Sequence, residues 1–200
     1  MVGEAQRPLA ELMVASCKRH MPTVPVVHMR DEATPEVPNC SSQVLPWDGK
    51  HLMTYRGDHL AALGRGDVLS LDVDVIVQRD LRPVFHRPFD VALTKRKGPI
   101  YGPDGVDITV AMPYNTGVMF CQRPEFWTRV SELIHSMPDE LQTWWGDQIA
   151  VKAAAPEFRT LDLPCSIYNY TPATEDEDVS DKAVVHYKGN RKEWMLRRQS

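Results

Sequence analysis

The sequence has no apolar stretch long enough to cross a bilayer, and its first residues lack the apolar core of a signal peptide. Its four cysteines are widely spaced and form no C-x-x-C pair, so neither a zinc site nor a disulfide framework is indicated. We therefore expect a soluble protein with reduced thiols, located in the cytoplasm.

An excess of positive charge is also missing. The formal net charge of -4 argues against nonspecific adhesion to nucleic acid through bulk charge, although residues 188–198 form a local basic run. Two hundred residues are enough for one domain with a substantial hydrophobic core, and we predict a single domain over residues 1–200.

What the sequence does contain is an apolar run with two aspartates at its centre. Residues 67–80 read DVLSLDVDVIVQRD, with Asp72 and Asp74 one residue apart. Burying ionised carboxylates costs several kcal/mol each unless they are paired or bind a metal. We predict a strand over Val68–Leu71 that opens at Asp72 into a crevice at the carboxyl edge of a sheet, where the two carboxylates hold a divalent cation. The alternative is a solvated turn, which the apolar flanks LSL and VIV disfavour.

Helical and strand patterns alternate along the chain, which is typical of an α/β fold. Apolar side chains recur at helical spacing over Leu9–His20, and Val24–Met29 follows as a short strand. A second helix over His51–Leu63 leads into the aspartate strand. Further predicted elements are a short strand near Val44, a strand over Val91–Thr94, a helix over Arg123–Met137, a helix running to about Ala155 and a strand over Phe158–Leu163.

Three segments further along carry polar side chains suited to sugars or phosphates. Residues 113–122 read PYNTGVMFCQ, in which Asn-Thr-Gly before an apolar run is either a plain turn or a close approach to a ligand. Residues 144–148 read WWGDQ, where Asp147 is either a helix N-cap or a functional carboxylate. The two tryptophans of that segment either stack on a ring or pack in the core.

The third segment, AVVHYKGNRKEW, carries His186, Gly189 and Lys192 as H-x-x-G-x-x-K. Just before it, Thr171–Lys182 is acidic and poor in apolar residues, and we expect a flexible loop with solvated charges. The long segment Thr94–Asp107 predicts a lid over a ligand site.

These motifs, taken in order, resemble GT-A glycosyltransferases, in particular the retaining family that contains glycogenin and the bacterial lipopolysaccharide galactosyltransferases. The resemblance covers about Leu9 to Trp194. It implies a Rossmann-like nucleotide-diphospho-sugar transferase fold, with a mixed, mostly parallel central sheet flanked by helices. In that family a strand before the first helix supplies part of the nucleotide base pocket. Here only MVGEAQR precedes the helix, so either the sequence starts late or the base is held differently.

The resemblance also assigns roles to residues. It implies Mn²⁺ (or Mg²⁺) bound by Asp72, Asp74 and His186. Arg56, sixteen residues before Asp72, would reach the diphosphate or the sugar, with an exposed helix arginine as the alternative. Asp147 and Gln148 would be the catalytic residues. The remaining donor-binding residues implied are Asn115, Thr116, Gly117, Gly189 and Lys192, besides the two metal-binding aspartates.

The reaction implied is transfer of a sugar from a nucleotide-sugar, most simply a UDP-sugar, to an acceptor hydroxyl with retention of anomeric configuration. The sequence does not choose between a saccharide, a lipid-linked glycan, a protein and a modified nucleobase as the acceptor. The basic residues near the end of the chain are also compatible with an anionic acceptor or a membrane surface. The rival functions are a sugar nucleotidyltransferase and a catalytically silent module that binds nucleotide-sugars. A glycine-rich, basic phosphate loop near the N-terminus, which a nucleotidyltransferase needs, is not found.

Overall fold

The computed structural model describes residues 3–101 and 105–198, and these divide into two compact units. Unit 1 combines Met1–Pro46, Leu71–His86 and Ser166–Ser200, and unit 2 combines Trp47–Ser70 with Arg87–Cys165. The helices are α1 Arg7–His20, α2 Leu52–Ala62, α3 Glu125–His135, α4 Asp139–Thr143, α5 Gly146–Ala154, α6 Cys165–Tyr168 and α7 Lys192–Arg198. The strands are β1 Val27–Arg30, β2 Ser41–Val44, β3 Val68–Leu71, β4 Val75–Val77, β5 Val91–Lys95, β6 Tyr114–Cys121, β7 Thr160–Pro164 and β8 Val184–His186.

Most of the predicted helices and strands are confirmed, several to within one or two residues. The strand predicted over Val24–Met29 begins later, at Val27, because Pro25 has no N–H to donate to a partner strand. The short helices α4, α6 and α7 were not predicted. Among the described residues no strand precedes α1; a short 3-10 turn over Glu4–Gln6 does.

Unit 1 is held together by one face of α1. The antiparallel pair β4 and β8 packs against that face, with Leu9 of α1, Ile76 of β4, Val185 of β8 and Met195 of α7 in one buried apolar cluster. The Ser16 hydroxyl accepts a hydrogen bond of 3.1 Å from the Val77 N–H, which ties α1 directly to β4. The strands β1 and β2 form a separate parallel pair.

Unit 2 contains a four-stranded sheet in the order β3-β6-β5-β7. Strand β5 runs antiparallel to β6 and parallel to β7, so the sheet is mixed. Helix α5 packs against β6, and α2, α3 and α5 pack against one another. The predicted α/β architecture, a mixed sheet flanked by helices, is confirmed.

None of the helices in the described part of the chain combines the length and apolar character that a membrane-spanning helix needs.

The acidic segment Thr171–Lys182 corrects one expectation. It contains no helix or strand, but two of its acidic side chains have partners: the Glu175 carboxylate pairs with the Arg197 guanidinium at 2.6 Å, and the Glu177 carboxylate accepts from the Tyr170 hydroxyl. Arg198 binds the loop through its backbone, donating to the Glu175 and Glu177 carbonyls at 2.7 and 2.5 Å. The guanidinium groups of Arg197 and Arg198 therefore bind the acidic loop of the same chain.

In unit 2 a charged cluster joins the loop before α2 to the start of α4. The His51 ring lies between two carboxylates, with Nδ1 against Asp48 and Nε2 2.6 Å from Asp139, and Lys50 pairs with the same Asp139. The hydrogen bonds with Asp139 and then Asp48 raise the pKa of His51 above its ordinary value. The cluster thus anchors α4, which leads directly into residues 144–148.

This cluster predicts a pH-dependent contribution to stability. Because the folded-state pKa of His51 is raised, its contribution is fully present below the unfolded value of about 6.5 and is lost as pH rises through the folded value. We expect His51→Gln to lower the melting temperature at pH 6 more than at pH 9, with a modest difference that added salt reduces. Thermal unfolding of both proteins across that range measures it.

Lys50→Gln is the matched control. Lys50 pairs with the same carboxylate but keeps its charge over the whole range, so its substitution should lower the melting temperature by a similar amount at each pH. If His51→Gln also lowered the melting temperature by the same amount at each pH, the predicted pH dependence of the His51 contribution would be wrong.

Candidate functional site

The first cluster lies in unit 1, in the turn between β3 and β4. The apolar residues of β3 end at Leu71, and the chain makes a tight turn through Asp72 and Asp74 before β4 starts at Val75. Asp74 is buried, with a side chain that is 11% exposed, and that of Asp72 is 31% exposed. The alternative of a solvated turn is therefore wrong for Asp74.

Strand pairing brings the predicted histidine to this turn. His186, at the end of β8, is paired in register with Val75, and the Tyr187 N–H donates to the Asp74 carbonyl at 2.8 Å. The His186 Nε2 atom lies 3.1 Å from Asp74 Oδ1 and 3.6 Å from Asp72 Oδ2. One ligand atom from each of the three residues lies within 4.8 Å of the others.

The donor set fits a divalent cation. The His186 Nδ1 atom lies 2.8 Å from the side-chain oxygen of Asn169, which can only accept a hydrogen bond, so the ring proton belongs on Nδ1. The lone pair on Nε2 then points towards two carboxylates, an arrangement that is repulsive unless positive charge lies among the three groups. Two carboxylates and a neutral imidazole are ligands that Mn²⁺ accepts readily, and Mg²⁺ shares the preference for carboxylate oxygen.

Opposing influences act on the Asp74 carboxyl. Burial would raise its pKa, but the neighbouring His186 ring and the Lys192 ammonium outweigh burial and hold the pKa below its ordinary value. The Lys192 ammonium lies 3.5 Å from Asp74 Oδ2 and its side chain is 38% exposed. The lowered pKa favours the ionised carboxylate, which is the form that would bind a cation.

The segment between His186 and Lys192 turns at Gly189. Its φ of +60° lies in the left-handed region that favours glycine, and a Cβ added there would meet no atom within 4 Å. Backbone at this turn is thus open to approach, as the predicted phosphate-binding role requires, and that role remains a prediction.

The second cluster lies in unit 2, at the start of α5. Trp145 has a φ of +69°, which costs a residue other than glycine about 1–3 kcal/mol. The next residue, Gly146, must lack a side chain, because a Cβ there would lie 2.2 Å from the Leu141 carbonyl oxygen. This tight, strained turn aims the side chain of Asp147 into the unit instead of outwards.

Asp147 does not cap the helix. The N-cap position belongs to Trp145, and Asp147 is buried with its carboxylate on two other elements. One oxygen, Oδ2, accepts hydrogen bonds from Thr116 Oγ1 at 2.7 Å and Arg56 Nη1 at 3.1 Å. Arg56 also donates to the Thr116 carbonyl at 2.6 Å, so it is a half-buried partner of the site and not an exposed helix arginine.

Arg96 belongs to this cluster and was missed by sequence reasoning. Its guanidinium donates to Gln148 Oε1 and the Met112 carbonyl, each at 2.5 Å, and also to the Tyr114 carbonyl. Burial lowers the pKa of this guanidinium below its ordinary value. Arg96 thereby links the side chain of Gln148 to the backbone at Met112 and Tyr114. Nothing in the spacing of these residues along the sequence indicates the contact.

The Asn-Thr-Gly residues lie inside β6, not in a turn before it. The side-chain oxygen of Asn115 accepts a hydrogen bond of 2.9 Å from the Gly117 N–H, and a register shift of β5 at Leu93/Thr94 accompanies it. The donor-binding role of these residues stays a prediction. Trp144 is 59% exposed, so the core-packing alternative is wrong for it.

The lid predicted over Thr94–Asp107 falls partly outside the described residues, at 102–104. The residues on either side of this gap are connected to each other: the Ile100 N–H donates to Thr109 Oγ1 at 2.8 Å, and Tyr101 forms an antiparallel β-bridge with Asp107. Its action as a lid remains a prediction.

The fold defines the class: the chain has the GT-A fold of glycosyltransferases. No protein-family model matches the chain, and no curated protein matches its sequence significantly.

Three solved structures illustrate the likeness. The WbbM bifunctional glycosyltransferase superposes with a TM-score of 0.63 over 95% of this chain, at 13% identity. A glycosyltransferase involved in glycosylation of the major capsid of PBCV-1 gives 0.61 over 96%, at 19% identity, and the galactosyltransferase LgtC in complex with donor and acceptor sugar analogues gives 0.57 over 94%, at 14% identity. The chain spans 45% of the WbbM chain, 93% of the PBCV-1 enzyme and 86% of LgtC.

Proposed function

We propose that this protein is a metal-dependent glycosyltransferase of the retaining glycogenin and lipopolysaccharide galactosyltransferase type, one domain over residues 1–200, that acts in the cytoplasm. It transfers the sugar of a UDP-sugar to an acceptor hydroxyl with retention of configuration. The acceptor is a saccharide, a lipid-linked glycan, a protein or a modified nucleobase. The observation that carries the proposal is the Asp72, Asp74 and His186 cluster on a glycosyltransferase fold.

The difficulty of the reaction is expulsion of a diphosphate from the anomeric carbon, which leaves negative charge on the leaving group and positive charge on the sugar. Mn²⁺ (or Mg²⁺) bound by Asp72, Asp74 and His186 would supply Lewis-acid stabilisation of the leaving group. Lys192 adds a fixed positive charge beside Asp74, and Gly189 leaves backbone open to the phosphates.

The unit 2 cluster supplies groups suited to the sugar. The buried Asp147 carboxylate, oriented by Arg56 and Thr116, would stabilise positive charge as it develops on the sugar. Because Arg96 occupies the side-chain oxygen of Gln148, the amide N–H₂ is the group that Gln148 offers, which suits an oxygen of a sugar hydroxyl.

A panel of nucleotide-sugars tests the proposal, first by thermal shift with Mn²⁺ or with a chelator and then by product analysis. We expect one UDP-sugar to raise the melting temperature only when Mn²⁺ is present. Slow release of UDP from that donor should stop when the metal is removed, and NMR of the freed or transferred sugar should show the anomeric configuration of the donor.

The same measurement separates the two rivals. Formation of pyrophosphate from a nucleoside triphosphate and a sugar phosphate would make the protein a nucleotidyltransferase. Donor-induced stabilisation without any release of nucleotide, in the presence of several candidate acceptors, would make it a binding module.

A further inference from the structure

The metal-site histidine has a buried partner that the sequence did not single out. Asn169 is 2% exposed and His186 is 3% exposed, and Asn169 Oδ1 lies 2.8 Å from His186 Nδ1. We propose that Asn169 is a positioning residue, whose side-chain oxygen holds the His186 imidazole in the tautomer that presents an unprotonated Nε2 to a divalent cation. This inference rests on the proposed function, since it concerns the same metal site.

Backbone pairing fixes Asn169 beside the ring. Asn169 directly follows α6, and the next residue pairs with β8: the Tyr170 N–H donates to the Val184 carbonyl at 3.0 Å, and the His186 N–H donates to the Tyr170 carbonyl at 2.6 Å. The contact between Asn169 and His186 is therefore built into the fold by the chain on either side of it.

Acceptors on opposite sides of a neutral His186 ring compete for its single proton. Asn169 Oδ1 faces Nδ1, whereas the carboxylate oxygens of Asp74 and Asp72 face Nε2 at 3.1 and 3.6 Å. Without Asn169, the proton would be better placed on Nε2, where it could be donated to Asp74. That tautomer blocks the nitrogen that would bind the metal.

The acidic loop braces this contact from outside. The Tyr170 hydroxyl donates to the Glu177 carboxylate, and the Lys182 ammonium lies over the Tyr170 ring, 4.6 Å from its centre. The loop is held in turn by Arg198, which donates to the Glu177 carbonyl. Charges that looked merely solvated in the sequence thus support the segment that carries Asn169.

Calorimetric titration with MnCl₂ tests the inference on the wild type, Asn169→Ala and Asn169→Asp. Loss of a group that orients a ligand weakens metal binding typically about 10–100-fold, and we expect that loss for Asn169→Ala. Asn169→Asp keeps an acceptor at the same place and should bind within about threefold of the wild type or more tightly.

Gln78→Ala is the matched control. Gln78 is an amide side chain of the same unit that donates to the Val179 and Lys182 carbonyls, so its loss removes comparable hydrogen bonds of the acidic loop but leaves every contact of Asn169, His186 and the two aspartates in place. We expect its Mn²⁺ affinity to stay at the wild-type value even if the protein melts at a lower temperature.

The tautomer itself can be observed without metal. Long-range ¹⁵N–¹H spectra of the neutral ring should place the proton on Nδ1 in the wild type and on Nε2 in Asn169→Ala. An unchanged tautomer and unchanged affinity in Asn169→Ala would overturn the inference. If the wild type binds no Mn²⁺, with or without UDP, the proposed metal-dependent function fails, and the spectra still decide whether Asn169 sets the tautomer.

Discussion

Asp74→Asn should abolish metal-dependent binding of nucleoside diphosphate. The side chain keeps its size, but the cluster loses one of its two carboxylates, and Lys192 loses the charge that it faces. Because even partners outside the ligand shell contribute about 10–100-fold to metal affinity, loss of a ligand should weaken Mn²⁺ binding by more than about 100-fold. Calorimetry with UDP, with and without Mn²⁺, measures the effect, and turnover should fall below detection.

Asp80→Asn is the control for this result. Asp80 lies in the same unit as Asp74. Its carboxylate is exposed, pairs with Arg82 at 2.7 Å and is not part of the Asp72, Asp74 and His186 cluster. Its substitution should leave UDP and Mn²⁺ binding unchanged. Wild-type affinity in Asp74→Asn would refute the metal assignment, and equal losses in both variants would point to general damage of the turn and strand β4.

Asp147→Asn should separate catalysis from diphosphate binding. The amide keeps an oxygen that can accept from Thr116, but the negative charge that faces Arg56 is lost. Fixed charges aimed at charge that develops in the transition state typically contribute about 10²–10³-fold to kcat. We expect a fall of that size in sugar transfer, while calorimetry should give Mn²⁺-dependent UDP affinity within about threefold of the wild type.

The stability of this variant needs its own control, because Arg56 is left in a half-buried position without its carboxylate. Removing one partner of a buried ion pair costs about 3–5 kcal/mol, and less where water reaches the pair. Asp58→Asn is matched to it: Asp58 also lies on unit 2 and accepts from the Ser131 hydroxyl at 2.6 Å, outside the cluster. It should lower the melting temperature but keep kcat. Loss of UDP binding together with turnover in Asp147→Asn would give Asp147 a structural role.

The parts of the fold that the sequence predicts best are those with a local cause. The apolar run before Asp72 becomes β3 with the predicted bounds, and helix α1 follows from the spacing of its apolar residues and its basic last turn. The pairing of β4 with β8 places His186 beside the two aspartates, where the resemblance puts it, and its role as a metal ligand stays a prediction.

The groups that the sequence could not predict act through contacts between distant residues. Asn169 lies seventeen positions before His186 and Arg96 fifty-two before Gln148, and no spacing rule connects residues so far apart. The Glu175 carboxylate looked solvated because its partner, Arg197, lies 22 residues further along the chain. Asn115 looked like part of a turn, but it lies in β6 and pairs with Thr94 of β5, because strand neighbours override the local preference of Asn-Thr-Gly.

Helix α7 places Met195 in the apolar cluster of unit 1, Lys192 beside Asp74, and Arg197 and Arg198 on the acidic loop. An affinity label or surface attachment joined directly after this helix would act on the residues that support the Asp72, Asp74 and His186 cluster, and it could therefore alter a measured cation affinity. Attachment through an exposed side chain of α3, such as Glu132, would spare that support and is the better choice for binding measurements.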